Sequence, residues 1–150
     1  MEKTRTLIVA AALLTLAACG RAVETANFAS FAEARQSGAV EQGWVPAIIP
    51  EGAYELRAAY DRRGTQRWGL FNFRPADADA LRAVLEPEEI SLDGTVIDIP
   101  PRIEWWPVQL RATLDGERIQ LTGLRAYHVR SEPLVIAINW NQGRAYYWTR

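Results

Sequence analysis

Apolar positions fall into two patterns along this chain. Leu7 to Ala18 is a single, almost continuous apolar run closed by Cys19, whereas everything after it is short apolar stretches punctuated by Gly, Pro and Asp. In the second part, Ser30-Phe31-Ala32-Glu33 has capping-box spacing, a hydroxyl and a carboxylate placed to satisfy free amides, so a short helix is predicted over Phe31 to Ser37 and closed by Gly38. Gly43 to Pro50 mixes Trp44, aliphatics and two prolines, which resists helix and predicts an extended, buried crossing. Tyr54 to Tyr60 and Gln66 to Phe73 are strand-like and flank Asp61-Arg62-Arg63-Gly64, the pattern of a hairpin. Pro75 at a first turn, Asp77 and Asp79 near its positive end, and Leu81, Val84 and Leu85 on one stripe predict a second helix.

Glu86 to Pro101, rich in proline and acid, predicts an irregular exposed connection with a short strand at Thr95 to Ile99. Trp105-Trp106-Pro107 follows no period. Leu121 to Val129, Leu134 to Trp140 and Arg144 to Trp148 are strand-like, the last two joined by Asn141-Gln142-Gly143, and predict a closing antiparallel meander. The expected fold class is α+β, an antiparallel sheet of about five strands packed by two short helices.

The leading run has the grammar of a secretory signal: Lys3 and Arg5, an apolar stretch, then small residues. It is shorter than the roughly 20 apolar residues that a membrane span requires, and Arg21 and Glu24 follow at once. Leu16-Ala17-Ala18-Cys19 resembles the lipobox of bacterial lipoproteins, with an aliphatic residue, two small residues and the cysteine in their slots. That resemblance implies diacylglycerol on the Cys19 sulfur, removal of residues 1–18 and acylation of the new amino terminus. An ordinary signal peptide with an incidental cysteine is the alternative. Two or more acyl chains make a lasting anchor where one binds only marginally. Gly20 is not the aspartate that typically retains such proteins in the inner membrane, which implies an outer-membrane position facing the periplasm in a Gram-negative host. The expected organisation is residues 1–18 as signal, 19–26 as lipidated tether and 27–150 as one α+β domain.

Composition narrows the function classes. The whole chain carries a formal charge of −1, and loss of Glu2, Lys3 and Arg5 leaves the remainder at −2, too little bias to predict nucleic-acid binding. Cys19 is the one cysteine, so no internal disulfide can form and packing must hold the domain. His128 is the one histidine, and zinc sites draw three or four ligands from His, Cys and carboxylates, so no metal or other cofactor is expected. Ser131 lies near His128 in sequence without a Gly-x-Ser-x-Gly elbow. Asp77 with Asp79, and Glu88 with Glu89, read as helix-start and solvated charges ahead of a glycosidase pair. The chain is therefore expected not to be an enzyme. Of its six tryptophans, Trp44, Trp68, Trp105, Trp106, Trp140 and Trp148, most should serve the core. The adjacent pair Trp105 and Trp106 is the candidate binding element, since on a strand one ring of two neighbours must face outward.

Phe31 to Trp68 resembles a family of small bacterial lipoproteins, YbbD-head-like: a helix with Glu33-Ala34-Arg35, then Gly43-Trp44-Val45-Pro46, Pro50, a strand and a turn with Asp61 leading to Trp68. The closing Gly143-Arg144-Ala145-Tyr146-Tyr147-Trp148 is similar as well, whereas Glu86 to Glu104 has no counterpart. The resemblance implies the lipoprotein address and the α+β fold, and carries over no catalytic or ligand residue. Together these readings predict a non-enzymatic envelope module, held to the membrane through Cys19, that binds a periplasmic protein or an envelope polymer such as peptidoglycan. The alternatives are a dedicated glycan binder, an inhibitor or immunity protein against an envelope-acting enzyme and, last, a small hydrolase using His128.

Overall fold

The computed structural model describes residues 23–100 and 103–150. The signal segment and Cys19, with their expected cleavage and lipidation, lie outside the described residues. The first strand, β1 (Val23–Ser30), pairs antiparallel with a later strand from Val23 opposite Asp61 to Ser30 opposite Tyr54. Residues 23–26, expected as tether, thus form the first half of β1. Their partly polar sequence disguised an edge strand, which has only one neighbour and a half-covered surface.

Helix α1 (Phe31–Gln36) follows at once. Ser30 Oγ accepts from the Glu33 amide at 3.2 Å, capping the helix as the spacing predicts, while Glu33 Oε2 reaches one residue past the cap and accepts from the Ala29 amide at 2.5 Å. Gly38, at φ +82°, ends the turn in the left-handed region that glycine enters freely. The Gly43–Pro50 segment is buried at Val45, Pro46 and Ile49, as expected, but it coils: the Trp44 and Val45 amides both donate to Ala39 O, at 2.9 and 3.1 Å. Prolines excluded helix there without enforcing extension.

Strands β2 (Tyr54–Asp61) and β3 (Arg67–Asn72) form the expected hairpin, closed where Asp61 N–H donates to Gln66 O at 2.9 Å. Pro75–Asp77 makes a 3-10 turn leading into α2 (Ala78–Ala83), and Leu81 and Leu85 sink its apolar stripe into the core. Beyond it the connection is only partly exposed: Leu92 and Ile97 are buried, and β4 (Val96–Ile97) pairs with β5 (Ala112–Thr113) in a small separate sheet. A third helix, α3 (Gly116–Leu121), occupies a stretch to which the sequence pattern assigns no element except at Leu121, where it predicts a strand. Asp115 caps it, its carboxylate accepting from the Arg118 amide at 3.1 Å. Leu121 projects into solvent from its last turn, so its apolar character did not mark a strand.

The meander closes the chain with β6 (Arg125–His128), β7 (Leu134–Asn139) and β8 (Arg144–Thr149). The main sheet has six antiparallel strands in the order β1-β2-β3-β8-β7-β6. The α+β class therefore fits, with six strands plus a two-stranded sheet in place of five and three short α-helices in place of two among the described residues. One sheet face carries Leu56, Ala58, Phe71, Ile136, Ile138 and Tyr147 against α1, the 39–53 loop and α2. The other carries Ala59, Trp68, Val135, Ala137 and Trp148 against Leu92, Ile97, Ile103, Trp106, Leu110 and Ile119. β7 is buried at all six positions because both its faces are covered, which is why its sequence runs apolar without alternation.

Candidate functional site

The second face is covered incompletely, and the gap is built from six elements. β1 contributes Asn27, α1 Glu33, β2 Glu55 and Arg57, β3 Leu70 and Asn72, β8 Arg144 and Tyr146, and the loop leading into a 3-10 turn at Val108–Leu110 contributes Trp105. These enclose an open groove of about 590 Å³. The period-2 alternation of a strand puts Leu70 with Asn72, and Arg144 with Tyr146, on this one face, and the β3–β8 register sets Leu70 opposite Tyr146 and Asn72 opposite Arg144.

A polar chain crosses the floor. Arg144 Nε donates to Asn72 Oδ1 at 2.9 Å, and Asn72 Nδ2 donates to Glu55 Oε2 at 3.0 Å. Asn72 is buried, so its amide is fixed by having both ends engaged. Glu55 sits where the β2–β3 register shifts, at φ +50°, a conformation that side chains other than glycine rarely adopt. A bulge of this kind re-aims a side chain, and here it directs a carboxylate into the groove. Arg57 lines the same groove and makes no ion pair or hydrogen bond among the described residues, leaving its guanidinium available.

Trp105 is held from behind. Its ring lies 6.1 Å from Trp106 at 62°, and Trp106 in turn packs edge-on to Tyr146 at 5.9 Å and Trp148 at 6.0 Å. Trp106 Nε1 donates to Leu110 O at 2.6 Å. Arg111 Nη2 donates to Ile103 O at 2.7 Å and to Trp106 O at 2.9 Å, clamping the loop at both ends. The expected binding pair therefore separates. Trp106, 1% exposed, is a core residue with no surface to offer a ligand, because a buried indole N–H with a carbonyl partner anchors the second face. Trp105 remains half-buried with one side toward the groove.

The other candidates are dispersed. His128 is half-buried beside a second cavity of about 710 Å³ lined by Trp68, Trp148 and Val135, and its Nδ1 is buried without a hydrogen-bond partner. Ser131 is exposed, and no hydrogen bond among the described residues joins it to His128. Asp77 accepts from the Arg74 amide at 3.2 Å, a structural duty, and Glu89 pairs with Arg125 at 3.6 Å. Among the described residues no group of three or more His, Cys, Asp or Glu is placed to hold a metal ion. Trp68 and Trp148 are buried; Trp140 lies beneath Arg82, whose guanidinium is 3.9 Å from the ring centre. Trp44 stacks on Tyr60 with centroids 4.3 Å apart. Burial, and then the hydrogen bond from Tyr60 to Glu24 at 2.8 Å, push that phenol up to about 12.

Arg57, Glu55, Asn72, Arg144 and Tyr146 were not singled out from the sequence. The alternation of Arg144 and Tyr146 was legible on their strand. The pairing of β3 with β8, which brings the two halves of the groove together across more than seventy residues, left no local mark.

Residues 23–72, spanning β1 to β3, match the family model described as the YbbD head domain. The match supports the likeness to that family over a third of the chain, including Asn27, Glu55, Arg57, Leu70 and Asn72 of the groove. Trp105, Arg144 and Tyr146 come from outside the matched span. No curated protein and no solved structure matches the chain.

Proposed function

We propose that this chain is a non-enzymatic binding module of the bacterial cell envelope, tethered by acyl chains on Cys19, whose ligand seats in the Trp105 groove. The observation that supports the reading best is the groove itself: a clamped, half-exposed indole beside the unengaged Arg57 guanidinium and an oriented Glu55–Asn72–Arg144 chain. A concave site with an aromatic wall and a few convergent polar groups is what small-ligand and polymer sites share. Three residues, Gly20 to Ala22, separate Cys19 from Val23, no more than about 14 Å of fully extended chain. A lipid on Cys19 would thus hold β1, and the groove it borders, close to the membrane.

The test has two arms. Mass spectrometry of the membrane-extracted protein should find acylated Cys19 as the first residue, and Cys19→Ser should move the protein to the soluble fraction. Purified sacculi should retain the full-length protein, and Trp105→Ala should weaken that retention; undiminished retention would remove the groove as the binding surface. A protein partner, including the enzyme target of an inhibitor, is the second reading. It is favoured by the free edge of β1, along which a peptide could add as a strand beside the groove.

A further inference from the structure

We infer that the groove selects a saccharide whose rings carry a carboxylate, an inference that rests on the binding-module reading above. Four kinds of group converge there. Trp105 offers the flat apolar face on which the axial hydrogens of a sugar ring stack, and its clamp leaves little freedom to be lost on binding. Leu70 and Tyr146 extend that apolar surface across the floor. Asn27 and the free oxygen of Glu55 supply an amide and an acceptor for ring hydroxyls and acetamido groups.

The cations decide the charge of the ligand. Arg57 has no partner among the described residues, and Arg144 spends only its Nε on Asn72, so its terminal nitrogens are available. A guanidinium fork matches a carboxylate in two parallel hydrogen bonds. Two acids share the groove, however. Glu33 is occupied with the Ala29 amide and Glu55 with Asn72, and both stay beside the arginines. That near balance gives a dense polyanion such as a phosphodiester backbone no net attraction. It accepts isolated carboxylates separated by neutral rings, with Arg57 taking the carboxylate and Trp105 taking the ring.

The test uses the full-length protein in detergent micelles and three probes: peptide-free glycan strands released from sacculi, whose alternate rings bear a lactyl carboxylate; the same strands with those carboxylates reduced to alcohols; and an oligomer of N-acetylglucosamine. Calorimetric titration should show the acidic strands binding about tenfold more tightly than either neutral probe, the worth of one charge-assisted pair. Arg57→Gln should lose that factor, so that the acidic strands bind no more tightly than the reduced ones. Trp105→Phe should weaken all three probes alike. Equal binding of acidic and reduced strands, or no effect of Arg57→Gln, overturns the carboxylate assignment while leaving the groove as the binding surface if Trp105→Phe still weakens it. Absence of binding by every saccharide overturns the inference outright, and retention on sacculi then decides the broader reading separately. Thermal unfolding of each variant confirms that the fold is retained; Arg57 sits on an exposed strand position whose loss removes no buried contact.

Discussion

Gly69→Ala places one methyl group where the fold has already put a ring. Gly69 lies on β3 directly opposite Tyr147 of β8, and the Tyr147 side chain covers the space a β-carbon would take. An ideal Cβ at this position falls 2.1 Å from both Cζ and Oη of Tyr147 and 2.4 Å from Cε1. Ordinary contact begins near 3.4 Å, so the ring must retreat by more than 1 Å. It has nowhere to go: Tyr147 is 1% exposed, within a core shared with Phe71 and Ile136, and burial holds its phenol well above the usual tyrosine range. Overpacking a well-filled core costs about 1–3 kcal/mol, and a rigid ring that cannot rotate aside belongs at the upper end of that range. Relief of glycine's unfolded-chain freedom returns roughly 0.5–1 kcal/mol, for a net loss of about 2 kcal/mol. Urea unfolding followed by tryptophan fluorescence should show the midpoint lowered by about 1 M at unchanged slope. The cycle is completed with Tyr147→Leu, which opens the space and should cost at least about 1 kcal/mol less in the Gly69→Ala background than in the wild type. A Gly69→Ala protein within about 0.5 kcal/mol of wild type, or an additive cycle, would show that the Tyr147 ring is free to move aside.

Three other outcomes follow from single contacts. Ser30→Ala removes the acceptor for the Glu33 amide and should destabilise the domain by about 1 kcal/mol in the same urea assay, with Ser30→Asp restoring it. Arg111→Ala deletes the donors to Ile103 O and Trp106 O; it should cost about 2 kcal/mol and also weaken sacculus retention, since Trp105 is then no longer held in place. Tyr60 has its folded-state pKa raised from 10.0 to about 12, so the stability it lends is intact below pH 10 and lost as pH rises through 12; unfolding midpoints should fall across that window, and fall less in Tyr60→Phe.

Local chemistry was legible wherever one short segment determined the outcome. The Ser30–Glu33 cap, the Asp61–Gly64 turn and the Asn141–Gly143 turn each satisfy their own backbone, and each appears where its residues predict. What escaped were features decided by burial from afar. Trp106 and Trp105 are indistinguishable neighbours in sequence, and only the position of Tyr146 and Trp148 beneath them makes one a core residue and the other a wall of the groove. The 86–101 stretch read as exposed because prolines and acids dominate it, yet two well-spaced apolar side chains, Leu92 and Ile97, suffice to pin it to the sheet. α3 escaped because its six residues offer one buried anchor, Ile119, too little for a helical period to register.

The unequal covering of the two sheet faces links the fold to its proposed use. The first face is sealed by α1, the 39–53 loop and α2, whose residues fall largely within or just beyond the span that matches the YbbD head domain. The second is covered by the excursion between β3 and β6, which pins Leu92, Ile97, Ile103 and Trp106 over β3, β8, β7 and Ala59 of β2 but leaves open the end of β1 and β2 that carries Asn27, Glu55 and Arg57. There the positions on this face are polar or charged and exposed, Asn27, Glu55 and Arg57, and an arginine on β2, which has a strand on either side, is tolerable only while that patch stays wet. The polarity of β2 on this face and the shortness of the cover are therefore one property seen twice. Replacing Arg57 by Leu, with Glu55 kept at its positive φ to hold the Asn72 amide, should raise stability while abolishing ligand binding, because the groove would become surface that the 103–111 loop can settle onto. An Arg57→Leu variant that binds as the wild type does would show that the open patch serves packing, and that the ligand is held elsewhere.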